Sequence, residues 1–135
     1  MNLTLKTADG EKIPLEIELM YKVKKCKNCI KIIDYKEEND DFLIVMERPK
    51  HCVDMWDHIY EHGPFNETKA KKYFMQILEG VLDLKSNNVI HRDIKDENIL
   101  VDSVNDEIKI IDFGGSAFYK NEEDLYDFHG IYSIY

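Results

Sequence analysis

The spacing of apolar residues changes at Pro49, and that change limits the folds open to this chain of 135 residues. Before it, Ile30-Lys31-Ile32-Ile33-Asp34-Tyr35 and Phe42-Leu43-Ile44-Val45-Met46-Glu47 are rich in β-branched and aromatic residues and predict two strands. The polar stretch 36–41 predicts the hairpin connection between them, and Pro49, which cannot donate to a ladder, ends the second strand. After Pro49 the period is helical. Apolar residues at 53, 55, 56, 59 and 60 predict a helix from Val53 to His62, with Asp54 near its start and Gly63-Pro64 closing it. Asn66 is a good N-cap for a longer helix over 67–86, whose Ala70, Phe74, Ile77, Leu78, Val81 and Leu82 recur at the helical period.

The flanks are built of shorter pieces. Leu3, Leu5 and Thr7 alternate with polar residues and predict a strand, followed by the turn Ala8-Asp9-Gly10. Pro14 marks the start of a helix carrying Leu15, Ile17, Leu19, Met20 and Val23. Val89-Ile90, Ile99-Leu100-Val101 and Ile108-Lys109-Ile110-Ile111 predict short strands, and 112–135 has no sustained period and predicts a long loop. Strands first and helices later predict an α+β fold.

Composition narrows the chemistry. Apolar residues at 44% and charged ones at 33% indicate a globular chain. The net charge of −9 argues against nucleic acid as the main partner and suits a basic peptide. No run of eighteen apolar residues predicts a membrane helix, and Met1-Asn2-Leu3-Thr4-Leu5-Lys6 lacks a signal-peptide core, so a cytoplasmic protein is expected. Three cysteines do not make a disulfide framework. Cys26-Lys27-Asn28-Cys29 has the C-x-x-C spacing, yet zinc would require a second ligand pair and redox use a thioredoxin-like βαβ unit. Neither is present, and the spacing reads as chance.

The stretch 91–114 holds the residues with chemistry. Phosphoryl transfer from a nucleotide needs magnesium, a carboxylate to orient the attacking hydroxyl and a cation near the transferred group. Asp93, Lys95 and Asn98 fall within six residues of each other, and Asp112 follows next to Gly114. These are the required residue types.

His91-Arg92-Asp93-Ile94-Lys95-Asp96-Glu97-Asn98 and Asp112-Phe113-Gly114 resemble the catalytic loop and metal-binding motif of eukaryotic protein kinases. Either alone is a weak signal, but Asp93 and Asp112 stand in the expected order, nineteen residues apart. Met46-Glu47-Arg48-Pro49, Glu61-His62-Gly63-Pro64 and Gln76-Ile77-Leu78-Glu79 are further similar to segments of the Pim branch of the serine/threonine kinases, so that the resemblance runs from about Gly10 to Ser133.

The resemblance implies a partial kinase domain over 1–135, with an incomplete small β-rich lobe over 1–48 and the start of the helical large lobe over 49–135. It implies ATP and Mg2+ as cofactors and Ser/Thr of basic, arginine-rich proteins as substrates, with the chain a monomer. Asp93 would orient the substrate hydroxyl and accept its proton, and Lys95 would neutralise the phosphoryl group. Asn98 and Asp112 would hold the metal. Met46, Glu47, Leu100 and Ile111 would line the nucleotide pocket, the Glu47 carbonyl accepting from the adenine amine and Pro49 supplying no N–H. Glu16 matches the helix glutamate that pairs with an ATP-positioning lysine, or is a solvated carboxylate. Asp54, Asp57 and Glu97 match acids that grip arginines ahead of the target residue, while acids in a first helical turn also suit the helix itself.

The pattern departs from the family at both ends. Gly10 is the only glycine in the first sixty residues, so no glycine-rich phosphate loop precedes Glu16. Leu3-Thr4-Leu5-Lys6 echoes the lysine strand, but Lys6 stands only ten residues before Glu16. Phe128-His129-Gly130 carries His where relatives have Asp, and Tyr132-Ser133 lacks the Pro-Glu that follows in them. The expectation is a domain cut at both ends, with Phe74, Ile77 and Leu78 partly uncovered. Its alternative function is that of an inactive binding or competing module.

Overall fold

A computed structural model describes residues 4–6, 12–39 and 41–120. It has an α+β architecture: β1 (Thr4–Lys6), β2 (Lys12–Pro14), α1 (Leu15–Lys22), β3 (Ile32–Glu38), β4 (Asp41–Met46), β5 (Cys52–Asp54), α2 (Met55–His62), α3 (Glu67–Ser86), β6 (Val89–Ile90), β7 (Ile99–Asp102), β8 (Glu107–Ile110) and β9 (Ala117–Phe118). A 3₁₀ turn, Asp96–Asn98, precedes β7. The strands form four antiparallel groups: β1-β2, β3-β4, β5-β7-β8 and β6-β9.

The long helix α3 has the bounds the sequence predicts, and the Asn66 side chain caps it by accepting from the Lys69 N–H at 2.9 Å. Four elements differ from the sequence reading. The helix expected from Val53 starts at Met55, because Cys52, Val53 and Asp54 pair with Asp102, Val101 and Leu100. The region 36–41 is largely ladder: Glu38 pairs with Asp41, and Asn39 takes a φ of 51°, which suits the tight hairpin turn. Lys12–Pro14 forms a strand against β1, where only a helix start was expected. Ala117–Phe118, inside the expected loop, pairs with β6. The strands at 12–14, 52–54 and 117–118 are too short to show a period, and the last two pair with segments far away in sequence.

Most of the expected apolar face of α3 stays in solvent. Phe74 is 64% exposed and Leu82 56%, while Tyr73, Gly80 and Leu84 are the positions that are buried. The helix is turned by a polar clamp. Gln76 Nε2 donates to the Asp106 carbonyl at 2.9 Å, Gln76 Oε1 accepts from the Ile108 N–H, and Tyr73 Oη donates to the Asp106 carboxylate. Lys69 and Lys72 pair with the same carboxylate at 3.2 Å, fixing the β7–β8 turn on the helix.

A second joint connects the first third of the chain to β8. The Ile30 N–H donates to the Ile110 carbonyl at 2.9 Å and the Ile110 N–H to the Asn28 carbonyl at 2.7 Å. One core spans both parts, with Ile17, Leu19, Met20, Cys29 and Ile32 from one and Val101, Ile108, Ile110 and Phe113 from the other. Cys26 and Cys29 are buried in it, burial pushes both thiols above their ordinary range, and they serve as core residues.

Gly80 lies where α3 meets this joint. A Cβ there would stand 2.8 Å from Ile110 Cδ1 and 3.2 Å from Asn28 Cβ, and Ile110 is fully buried and cannot swing aside. Gly80→Ala gains about 1 kcal/mol of helix propensity. Overpacking typically costs about 1–3 kcal/mol. Urea denaturation is therefore expected to show a net loss of about 1 kcal/mol, and a midpoint that rose would show the joint to be slack.

Candidate active site

The loop 91–95 between β6 and the 3₁₀ turn is fixed by its own first residue. His91 is 4% exposed, and burial lowers its affinity for a proton below the ordinary imidazole range. Its Nε2 lies 2.9 Å from the Ile111 carbonyl and its Nδ1 3.3 Å from the Asp93 amide nitrogen. A carbonyl only accepts and an N–H only donates, so the partners select the neutral tautomer with the proton on Nε2. His91 thereby holds the loop carrying Asp93 against the end of β8. Sequence reasoning read His91 as part of a motif and gave it no role.

Asp93 is the centre of a small polar group. Asn98 Nδ2 donates to its carbonyl at 2.9 Å and to its carboxylate at 2.8 Å, and Lys95 Nζ stands 3.4 Å from the same carboxylate oxygen. That hydrogen bond and charge raise the Lys95 pKa, keeping its ammonium charged. Asn98 is buried in the 3₁₀ turn, and its own carbonyl accepts from the Ile111 N–H at 3.0 Å. With the amide nitrogen committed, the Oδ1 of Asn98 is the acceptor it has left.

Asp112 follows Ile111 directly and takes a φ of 65°. Arg92, in the facing loop, takes 68°. Such backbones cost a non-glycine residue about 1–2 kcal/mol each and persist only where neighbours hold them. Here the Gly114 N–H donates to the Asp112 carboxylate at 3.1 Å, and Phe113 is buried edge-on to the His91 ring, 5.1 Å between centroids. Ser116 Oγ donates to the His91 carbonyl at 3.3 Å. The two loops are thus tied at His91, Asn98 and Ser116.

A cavity of about 370 Å³ opens beside Asp112, lined by Glu16, Met20, Ile30, Met46, Glu47, Leu100, Ile111 and Asp112. That volume is within the range of small-molecule sites. The four residues expected from the resemblance to line a nucleotide pocket meet here, together with Glu16 and Asp112. Met20 and Ile30 were missed. Met20 sits one helical turn after Glu16, a spacing that could have found it, whereas Ile30 reaches the cavity only through its bond to Ile110. Glu47 spends its N–H on the Lys31 carbonyl and its carboxylate on the Lys31 N–H and Lys109 Nζ, so its carbonyl is the group left for a ligand. Burial and then the charge of Asp112 hold the Glu16 carboxyl above the usual carboxylate range.

The three acids expected to meet substrate lie around α2. Asp54 is its N-cap, accepting from the Asp57 N–H at 2.8 Å, and α2 packs against the turn that carries Glu97. The charge of Asp54 raises the pKa of exposed Asp57. The Lys6 side chain, Ala8-Asp9-Gly10 and the segments at 128–130 and 132–133 lie outside the described residues. Among the described residues, no helix is long and apolar enough to cross a membrane, and no three His, Cys, Asp or Glu converge as metal ligands. A carboxylate and an amide oxygen, Asp112 and Asn98, are nevertheless the hard donors that magnesium takes, with water and phosphate completing its shell.

Comparison with known proteins gives the family. The protein kinase domain family matches residues 2–133. Serine/threonine-protein kinase prk-2 of Caenorhabditis elegans is 40% identical over 122 residues, covering 90% of this chain and 27% of that protein. Serine/threonine-protein kinase pim-2 of Danio rerio is 42% identical over 106 residues, covering 77% of this chain and 34% of that protein. Serine/threonine-protein kinase SIK2 of Gallus gallus is 40% identical over 115 residues, covering 85% and 14%. The chain spans about a third or less of the length of these relatives. It belongs to the protein kinase domain family.

Proposed function

We propose that this chain carries the phosphoryl-transfer centre of a serine/threonine protein kinase of the Pim type, acting on basic protein substrates with ATP and Mg2+. The observation that supports this reading best is the chain of contacts from Asp93 through Asn98 to Ile111 and Asp112, which line the cavity. Met46, Leu100 and Ile111 form apolar walls for a base, and the Glu47 carbonyl accepts from its amine. Glu16 lies at the phosphate end beside Asp112. Asn98 Oδ1 and the Asp112 carboxylate would hold magnesium, which would supply charge neutralisation at the phosphates.

Asp93 orients the Ser or Thr hydroxyl and takes its proton as the oxygen bonds to the γ-phosphorus and the bond to the β–γ bridging oxygen breaks. The Asn98 hydrogen bonds fix the rotamer of Asp93 for this task. Lys95 places positive charge beside the moving phosphoryl group. Asp54, Asp57 and Glu97 meet arginines ahead of the target residue, where carboxylates pair with guanidinium in bidentate fashion. The domain reading follows from the same assignment, with 1–48 belonging to the small lobe and 49–135 to the large one.

A second reading draws on one specific observation. The Asp112 charge repels the Glu16 carboxylate, and among the described side chains, which do not include that of Lys6, no cation opposes it. A cavity of that sign resists a triphosphate, and such a chain would act as a silent module that binds partners.

Two measurements decide between them. Incubation with Mg–ATP and a serine peptide preceded by arginines is expected to give phosphate incorporation that Asp93→Asn lowers by about 100-fold or more. Equal incorporation from both proteins would rule out catalysis by this chain. Calorimetric titration of Mg–ATP into Glu16→Gln is expected to show weaker binding if Glu16 positions a cation for the phosphates. Several-fold tighter binding would instead favour the silent module.

A further inference from the structure

The last turn of α2 carries two imidazoles that the phosphoryl-transfer reading does not use. His58 and His62 are one helical turn apart, with ring centroids 4.7 Å from each other and planes tilted by 45°. His62 Nδ1 lies 3.2 Å from the His58 carbonyl. A carbonyl can only accept, so Nδ1 carries the proton and the Nε2 of His62 keeps its lone pair. A ring N–H given to a backbone carbonyl is the support that fixes a metal-binding histidine in orientation and raises its basicity. His58 Nδ1 is buried without a hydrogen-bond partner, which leaves Nε2 as its ring nitrogen able to meet a ligand. Phe65, 4.9 Å from the His58 ring between centroids, supports it from the other side.

The geometry points to a two-imidazole chelate for a divalent transition cation, formed by the Nε2 atoms of His58 and His62. Imidazole nitrogens suit zinc, copper and nickel rather than magnesium or calcium. Two nitrogens each about 2.0–2.1 Å from one ion bring their rings side by side, and histidines at i and i+4 on one helix face are a known arrangement for this. Among the described residues no third His, Cys, Asp or Glu joins them, so water completes the shell and the ion exchanges freely. The acids Asp57 and Glu61, on the same helix, add negative charge that favours a cation without ligating it. A bound ion would tie together the last turn of α2, immediately before Gly63, whose φ of 78° ends the helix.

Trp56 is the only tryptophan in the chain and lies on the same helix, so its emission reports on this site. Titration of the intact chain with Ni2+ is expected to quench Trp56 saturably, with Zn2+ relieving the quench and Mg2+ in excess leaving it unchanged. His58→Gln and His62→Gln are each expected to raise the Ni2+ midpoint at least about tenfold, since losing even a supporting group costs that much at a metal site. His51→Gln is expected to leave the midpoint where it is. His62 is exposed, so its substitution retains the fold, which circular dichroism verifies, and that variant alone is decisive. A smaller shift with His62→Gln, an equal shift with His51→Gln, or effective competition by Mg2+ would overturn the site.

Discussion

The neutral state of His91 is the constraint on which the rest of the site depends. A protonated imidazole would present two donors, and its Nδ1–H would then face the Asp93 N–H it accepts from at 3.3 Å. Burial disfavours that form by penalising the charge, even though the Ile111 carbonyl and the carboxylates of Asp112 and Asp93 pull the other way. The core therefore decides the protonation state, the protonation state decides the tautomer, and the tautomer sets where Asp93 stands. Phe113 contributes to the same end by closing the His91 ring off from water at one edge.

Asp112 connects that loop to the cavity. Its left-handed backbone is strained, and the strain is tolerated because residues on both sides are held: Ile111 by His91 and Asn98, and Phe113 by burial. The joint between 28–30 and Ile110 then fixes α1, and with it Glu16, relative to Asp112. Two carboxyl groups from parts of the chain almost a hundred residues apart are thus brought near one cavity by backbone hydrogen bonds and a shared apolar core.

The legible and illegible parts of this molecule differ for physical reasons. Helix α3 could be read with its exact bounds because Asn66 caps it and its apolar residues recur over five turns. Met46, Glu47, Leu100 and Ile111 could be named as cavity lining through the resemblance to protein kinases, which carries roles onto matching segments. Three two- or three-residue strands could not be read, since β2, β5 and β9 exist only through partners elsewhere in the chain. The burial of α3 was illegible for a related reason. Its orientation is set by Tyr73 and Gln76 against the Asp106 turn, polar contacts that hydrophobic periodicity cannot report. His91 shows the same limit at the site: the motif locates it, but only its two partners reveal that its work is structural.

The same contrast explains why geometry and charge pull apart at the cavity. Packing and hydrogen bonding alone place the apolar walls, the Glu47 carbonyl and the Asp93–Asn98–Lys95 group. Electrostatic complementarity requires more, because a triphosphate brings negative charge to a cavity that already holds Glu16 and Asp112. Lys95 cannot supply the whole compensation, since its ammonium is already engaged with Asp93. The oxygen donors of Asn98 and Asp112 would resolve part of this, because a divalent cation held there would reverse the local sign. Burial and then the charge of Asp112 raise the proton affinity of Glu16, so part of that rise reports the charge left over. A further cation beside Glu16 would offset the contribution of Asp112 to that rise and make the cavity more attractive to phosphate.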